Sequence, residues 1–173
     1  MNTTTPPLTT TPVQDQVPVT VWEPRTYPGT LAHLRTLRHD LTQDLTGFTP
    51  DLIDTVRLCA SELLANAVKY TDSGLPGGAV LRFLSRPTSD RLRIGLTDEG
   101  GSGTVPRIPT QRSEQAWDWA EGQRGLVIIE QLSVAWGYHR TAPWADLGTH
   151  VWADLALTPD QAPRRPRPYV FAD

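Results

Sequence analysis

Glu62 and Asn66 stand four residues apart in the run Arg57-Leu58-Cys59-Ala60-Ser61-Glu62-Leu63-Leu64-Ala65-Asn66-Ala67-Val68-Lys69-Tyr70. Residues at i, i+4 and i+8 share one face of an α-helix, so a carboxylate, a carboxamide and the Tyr70 phenol stack above one another. A carboxylate and a carboxamide aimed into one space suit a hard cation such as Mg2+, which prefers oxygen ligands and keeps several of its waters. Ala60, Leu63, Leu64, Ala67 and Val68 form the apolar stripe of the same helix, which must pack on a core. Glu62 and Asn66 lie at the edge of that stripe, where a partly buried carboxylate needs a partner. Taken alone, this spacing equally describes an ordinary solvated helix face.

Two glycine-bearing segments shift the balance toward a site. Asp98-Glu99-Gly100-Gly101-Ser102-Gly103 follows an apolar stretch, so Asp98 ends a strand and is followed by backbone free of side chains. A flat ring can approach such backbone closely, and the carboxylate can accept a hydrogen bond from an exocyclic amine of the kind adenine presents. The plain alternative is a turn, for which Asp-x-Gly is common chemistry. In Gly122-Gln123-Arg124-Gly125-Leu126, Gly125 opens a helix whose free N–H groups favour phosphate oxygens, and Arg124 can add charge-assisted bonds. Here the alternative is a solvent-facing arginine beside a turn glycine. Neither segment carries Gly-Lys-Ser/Thr or the dinucleotide G-x-G-x-x-G after a first strand, which removes the phosphate-loop and dinucleotide folds.

The elements that must position these groups are legible in order. Val19 to Arg25 alternates as a strand, Pro28-Gly29 makes a turn, and Thr30 caps a helix reaching about Leu45 with Leu31, Leu34, Leu37 and Leu41 on one face. After a break at Gly47 to Pro50, a second helix runs from about Asp51 to Thr71 and carries Glu62 and Asn66. Strands follow at Ala79 to Ser85 and Leu92 to Thr97, joined by a hairpin at Thr88 to Asp90. Gly100 to Glu121 lacks apolar periodicity and reads as a long loop, of the kind that often serves as an active-site lid. Leu126 to Leu132 is a helix, Ser133 to Arg140 a strand and Thr149 to Leu157 the last strand. The sum is an α+β, two-layer α/β sandwich, with helices on one face of a mixed, mostly antiparallel sheet. Residues 1–18 are a Thr/Pro-rich disordered tail, 19–157 the domain, and 158–173 a Pro/Arg-rich tail.

In combination and in this order, the segments resemble the GHKL (histidine kinase-like) ATPase superfamily and its Bergerat-type ATP-binding fold. The chain is most similar to the small bacterial ATP-binding proteins of the anti-sigma factor serine/threonine kinase branch, over about Val19 to Leu157. Glu62 to Tyr70 matches the N box, which implies Glu62 as general base and Asn66 as the Mg2+ ligand. Asp98 and Gly100 match the box whose aspartate binds the adenine amine. Gly125-Leu126 matches the phosphate-contacting end of the lid. Gly148-Thr149-His150-Val151-Trp152 resembles the last box, whose threonine supports that aspartate, often through water. Tyr27-Pro28-Gly29-Thr30 and Trp136-Gly137-Tyr138 also look like the anti-sigma branch. The sequence departs from the pattern at Ser102, where a second glycine is expected, and at Gln123, where the lid motif has its first glycine.

The resemblance implies ATP and Mg2+ as ligands, transfer of the γ-phosphate to an antagonist protein, a sigma factor as competing partner, and a homodimer. The alternative, supported by Ser102 and Gln123, is a non-catalytic regulatory module that sequesters a sigma factor or other partner. A sensor kinase is disfavoured, since His33 and His39 have no phosphoacceptor-type box around them. Composition agrees with a cytoplasmic globular domain. A chain of 173 residues with a formal charge of −3 has the length for one core and no broad basic field for nucleic acid. No apolar run approaches the roughly 20 residues that cross a bilayer, and the N-terminus lacks the basic and apolar regions of a signal peptide. The single cysteine, Cys59, reads as a buried hydrophobe within its helix.

Overall fold

The computed structural model describes residues 20–101, 103, 106–107, 124–142 and 144–163. Among the described residues, three helices lie on one face of a six-stranded sheet. The helices are α1 (Leu34–Asp44), α2 (Pro50–Tyr70) and α3 (Arg124–Leu132), with 3-10 turns at Leu31–His33 and Asp72–Gly74. The strands are β1 (Thr20–Val21), β2 (Arg25–Pro28), β3 (Ala79–Thr88), β4 (Arg91–Thr97), β5 (Ala135–Arg140) and β6 (Thr149–Ala156). Their order is β1-β3-β4-β6-β5 with β2 also on β3, and every pairing among the described residues is antiparallel. The expected α+β two-layer sandwich is the one observed.

Period-two burial decides which face the helices cover. Val80 and Leu84 of β3, Leu92, Ile94 and Leu96 of β4, and Val151, Ala153 and Leu155 of β6 all join the core. On top of them lies α2, whose Leu52, Val56, Cys59, Ala60, Leu63, Leu64 and Ala67 recur at helical spacing and are buried. Pro50 occupies the first helical position of α2, where its missing N–H is no loss. Leu37, Leu41 and Leu45 close the core from α1, and Leu126 and Ile129 from α3.

Two expectations at the N-terminal edge need correction. The single strand expected over Val19 to Arg25 is two short ones, and Val19 lies outside the described residues. Val21 pairs with Ser85 and Arg25 with Arg82, so three residues of the edge strand face two of β3, which is a bulge. Trp22 drives it inward: its indole Nε1 donates to the Asp44 carbonyl at 2.8 Å and its ring packs 6.2 Å from that of Phe48. Thr30 does not cap the first helix through a backbone N–H; its hydroxyl is bonded to His33 Nδ1 at 2.9 Å, and the first turn is 3-10. Elsewhere boundaries move by a few residues. β3 runs on to Thr88 across a register shift, α3 is already helical at Arg124, and Ser133 still donates to the Ile129 carbonyl, which delays β5 to Ala135.

The edge strands are tied to α1 by charge. Arg82 is fully buried in β3, makes a 2.6 Å ion contact with Asp44 and donates to the Glu23 carbonyl. Arg25 reaches Asp44 at 2.8 Å, and the Tyr27 hydroxyl donates to Asp40, its own ionisation suppressed chiefly by burial. At the other end of the domain, residues 158–163 turn back onto the α1–α2 connection, where Thr49 donates to the Gln161 carbonyl at 3.0 Å. The 1–18 tail, the rest of the 158–173 tail and most of the Gly100–Glu121 loop lie outside the described residues. Among the described residues no helix is long and apolar enough to cross a membrane.

Candidate functional site

Two groups of the expected residues come together, one at each end of the C-terminal half of α2. In the first, Glu62 and Asn66 sit partly buried one turn apart on α2, facing the start of α3. Gly125 is what lets the two helices meet there: a Cβ on it would lie 2.7 Å from Glu62 Oε2 and 3.4 Å from Asn66 Nδ2. Gly125 of α3 therefore lies directly against a carboxylate and a carboxamide of α2. Arg124, beside Gly125 on α3, is exposed. Leu126 places its side chain in the core, so what it presents here is backbone. Tyr70, two turns beyond Glu62, is 42% exposed with the Lys69 ammonium over its ring, and stands apart from this group.

The second group is built where β4 ends. The Asp98 N–H donates to the Thr149 carbonyl at 3.1 Å, continuing the β4–β6 ladder. At the next bond the ladder changes hands: the Thr149 N–H donates to Asp98 Oδ1 at 2.9 Å, and Gly100 N–H donates to the same oxygen at 2.8 Å. Thr149 thus holds the aspartate through its backbone. Burial raises the Asp98 carboxyl above the usual aspartate range, opposed by those two N–H bonds and reinforced by the nearby Asp146 charge. Gly148, at φ +118°, lies so close to the Asp98 carbonyl that any Cβ there would collide with it.

Several supports of this second group were not singled out from the sequence. Ser73, fully buried, accepts the Glu99 N–H on its hydroxyl at 2.9 Å. The Asp72 N–H donates to the Gly100 carbonyl at 2.7 Å, and Asp146 accepts the Gly101 N–H at 3.1 Å. The 71–74 turn leaves α2 one turn after Asn66, so the same helix end fixes both groups. The available signal was the run Thr71-Asp72-Ser73-Gly74 of turn formers directly behind the polar helix face. Ser102 and Gln123, the two departures from the expected glycine pattern, lie outside the described residues.

The Asp98 carboxylate, half-buried at the end of β4, can accept a hydrogen bond from an amine, and the carboxylate and carboxamide on α2 lie against Gly125 of α3. The Asn66 carboxamide oxygen is a ligand of the type Mg2+ takes alongside phosphate oxygens and water. Among curated proteins, no sequence matches the chain. The profile of the histidine kinase-like ATPase domain matches residues 27–154, which include both groups of site residues. The chain therefore belongs to the histidine kinase-like ATPase family, whose domains bind ATP, in general with Mg2+.

Proposed function

We propose that the domain is an ATP-dependent serine/threonine protein kinase of the anti-sigma factor type, with Glu62 as the general base, which phosphorylates an antagonist protein. The observation that supports the proposal is the approach of Gly125 to Glu62 and Asn66, which sets a carboxylate and a carboxamide of α2 against the segment that resembles the phosphate-contacting end of the lid. Asp98 Oδ2 accepts the adenine amine, while Oδ1 stays bonded to Thr149 and Gly100. Asn66 would hold Mg2+ through its carboxamide oxygen. Arg124 and the N–H groups of Gly125 and Leu126 face the phosphates. Bound ATP supplies the γ-phosphoryl group, and Mg2+ offsets the charge on its oxygens. Glu62 takes the proton of the incoming serine or threonine hydroxyl as that oxygen bonds to phosphorus and ADP leaves with the electrons of the broken P–O bond. A sigma factor is the competing partner, and a homodimer the assembly.

The test combines Mg·ATP titration by calorimetry with phosphate transfer from γ-labelled ATP to an antagonist-type acceptor protein. Glu62→Ala is expected to keep ATP affinity and lose transfer. Retained transfer would remove the base assignment. ATP binding by the wild type without any transfer would leave the non-catalytic binding module that sequesters its partner.

A further inference from the structure

The sheet face away from the helices carries its own cluster directly behind Asp98. Thr97 and His150 are opposite one another in β4 and β6, one step before the point where the Asp98 side chain takes over the ladder. Because side chains alternate, Thr97 and His150 point to the open face while Asp98 and Thr149 point to the site. Thr97 Oγ1 and His150 Nδ1 share a hydrogen bond of 2.8 Å. The imidazole lies flat on Gly95, where a Cβ would come within 2.6 Å of Cε1 and Nε2. Phe83 closes the ring edge-on at 5.3 Å, and His139 of β5 flanks it at 5.0 Å. The titratable groups facing it are His139 and Arg93, the latter stacked on Trp152 and paired with Asp154 through two bonds. Burial, with these two neighbours, pushes the His150 ring down to about 4, so it is neutral at physiological pH and bonds Thr97 without a charge.

We infer that Thr97 and His150 form a latch that sets the position of Asp98 for the base of the nucleotide, resting on the ATP site proposed above. Both residues of the latch are chain neighbours of the Asp98–Thr149 pair. The backbone of that pair no longer exchanges two ladder bonds, since one acceptor is the Asp98 side chain. With one of the two main-chain bonds given up, the separation of the strands at this step is held from the opposite face by the Thr97–His150 bond. Gly95 and Phe83 keep the imidazole from swinging away. Thr97 and His150 act through Asp98 and are positioning residues; neither touches the ligand.

The experiment compares binding of Mg·ATP and of inorganic tripolyphosphate, which lacks the base, to the wild type, Thr97→Val, Thr97→Ser and His150→Asn. Valine keeps the shape of threonine and removes the hydroxyl. Serine restores it, and asparagine keeps a polar atom near the place of Nδ1. Thr97→Val is expected to weaken ATP binding about three- to tenfold and leave tripolyphosphate binding within about twofold. Thr97→Ser and His150→Asn are expected to return ATP affinity to near wild type. Equal losses for both ligands, or no loss for ATP, would overturn the latch and leave the ATP site standing. Absence of ATP binding by the wild type would overturn the site and the latch together.

Discussion

Asp98→Asn separates ligand recognition from folding at a single atom. In the wild type, Oδ1 accepts the Thr149 and Gly100 N–H groups at 2.9 and 2.8 Å, and an asparagine carbonyl oxygen can accept both without moving. The loop is therefore expected to stay in place. Burial raises the Asp98 carboxyl above its usual range. A carboxyl raised on folding contributes most stability below its unfolded value and loses that contribution as pH rises through the folded value. Near neutrality the ionised aspartate is a burden on the fold, and the uncharged amide removes it. Thermal unfolding at about pH 7 should show a midpoint unchanged or slightly raised. The other atom changes sign: Oδ2, proposed above as the acceptor for the adenine amine, becomes an NH2 donor that would face a donor. Loss of one hydrogen bond to a charged acceptor is about 1.5–3 kcal/mol, or about 10- to 150-fold in the dissociation constant of Mg·ATP. Calorimetric titration measures that constant on the same samples used for melting. A variant that binds ATP within about threefold of wild type, or one that loses several degrees of stability, would refute this account of the site.

Other substitutions probe the same framework. Gly125→Ala places a Cβ 2.7 Å from Glu62 Oε2, the flexible end of a side chain, so the melting midpoint should barely move while phosphotransfer falls. Unchanged transfer would show that α3 does not set the Glu62 carboxylate. Arg82→Met leaves Asp44 with Arg25 alone and should cost about 2–4 kcal/mol in denaturant unfolding, because Arg82 is fully buried in its ion contact with Asp44; a cost under about 1 kcal/mol would show the pair to be dispensable. His150 has a folded value depressed to about 4 by burial, His139 and Arg93, so its contribution is complete above the unfolded value of about 6.5 and is lost as pH falls toward 4. Allowing for solvent screening at this partly exposed ring, the wild type should lose about 1–2 kcal/mol more than His150→Asn between about pH 7 and pH 5. Equal losses would show that the ring titrates freely. The Cys59 thiol, pushed up to about 11 by burial, should react with a thiol reagent on the order of 100-fold slower than a free cysteine until the protein unfolds. Rapid reaction of the folded protein would place it outside the core.

Local sequence determined what had a local cause. The apolar stripe of α2, the strand alternation of β3, β4 and β6, and the glycine segments after Asp98 and around Gly125 each follow from period, propensity or backbone freedom within a few residues. Glu62 and Asn66 share a face because they are four apart, which no tertiary contact is needed to arrange. The break in the N-terminal strand is caused from outside it: Trp22 turns inward to reach Asp44 and Phe48, which lie on α1 and just beyond it. Thr30 has the residue type of a helix cap, but a histidine three residues on competes for its hydroxyl. The tertiary structure alone decided that Ser73, Asp72 and Asp146 fix the Asp98 loop, and that Thr149 holds Asp98 by its backbone. It also set Thr97 against His150 across fifty-three positions of chain. Turn residues such as these satisfy backbone donors left free at a strand end, and which donors those are depends on how distant segments are brought together.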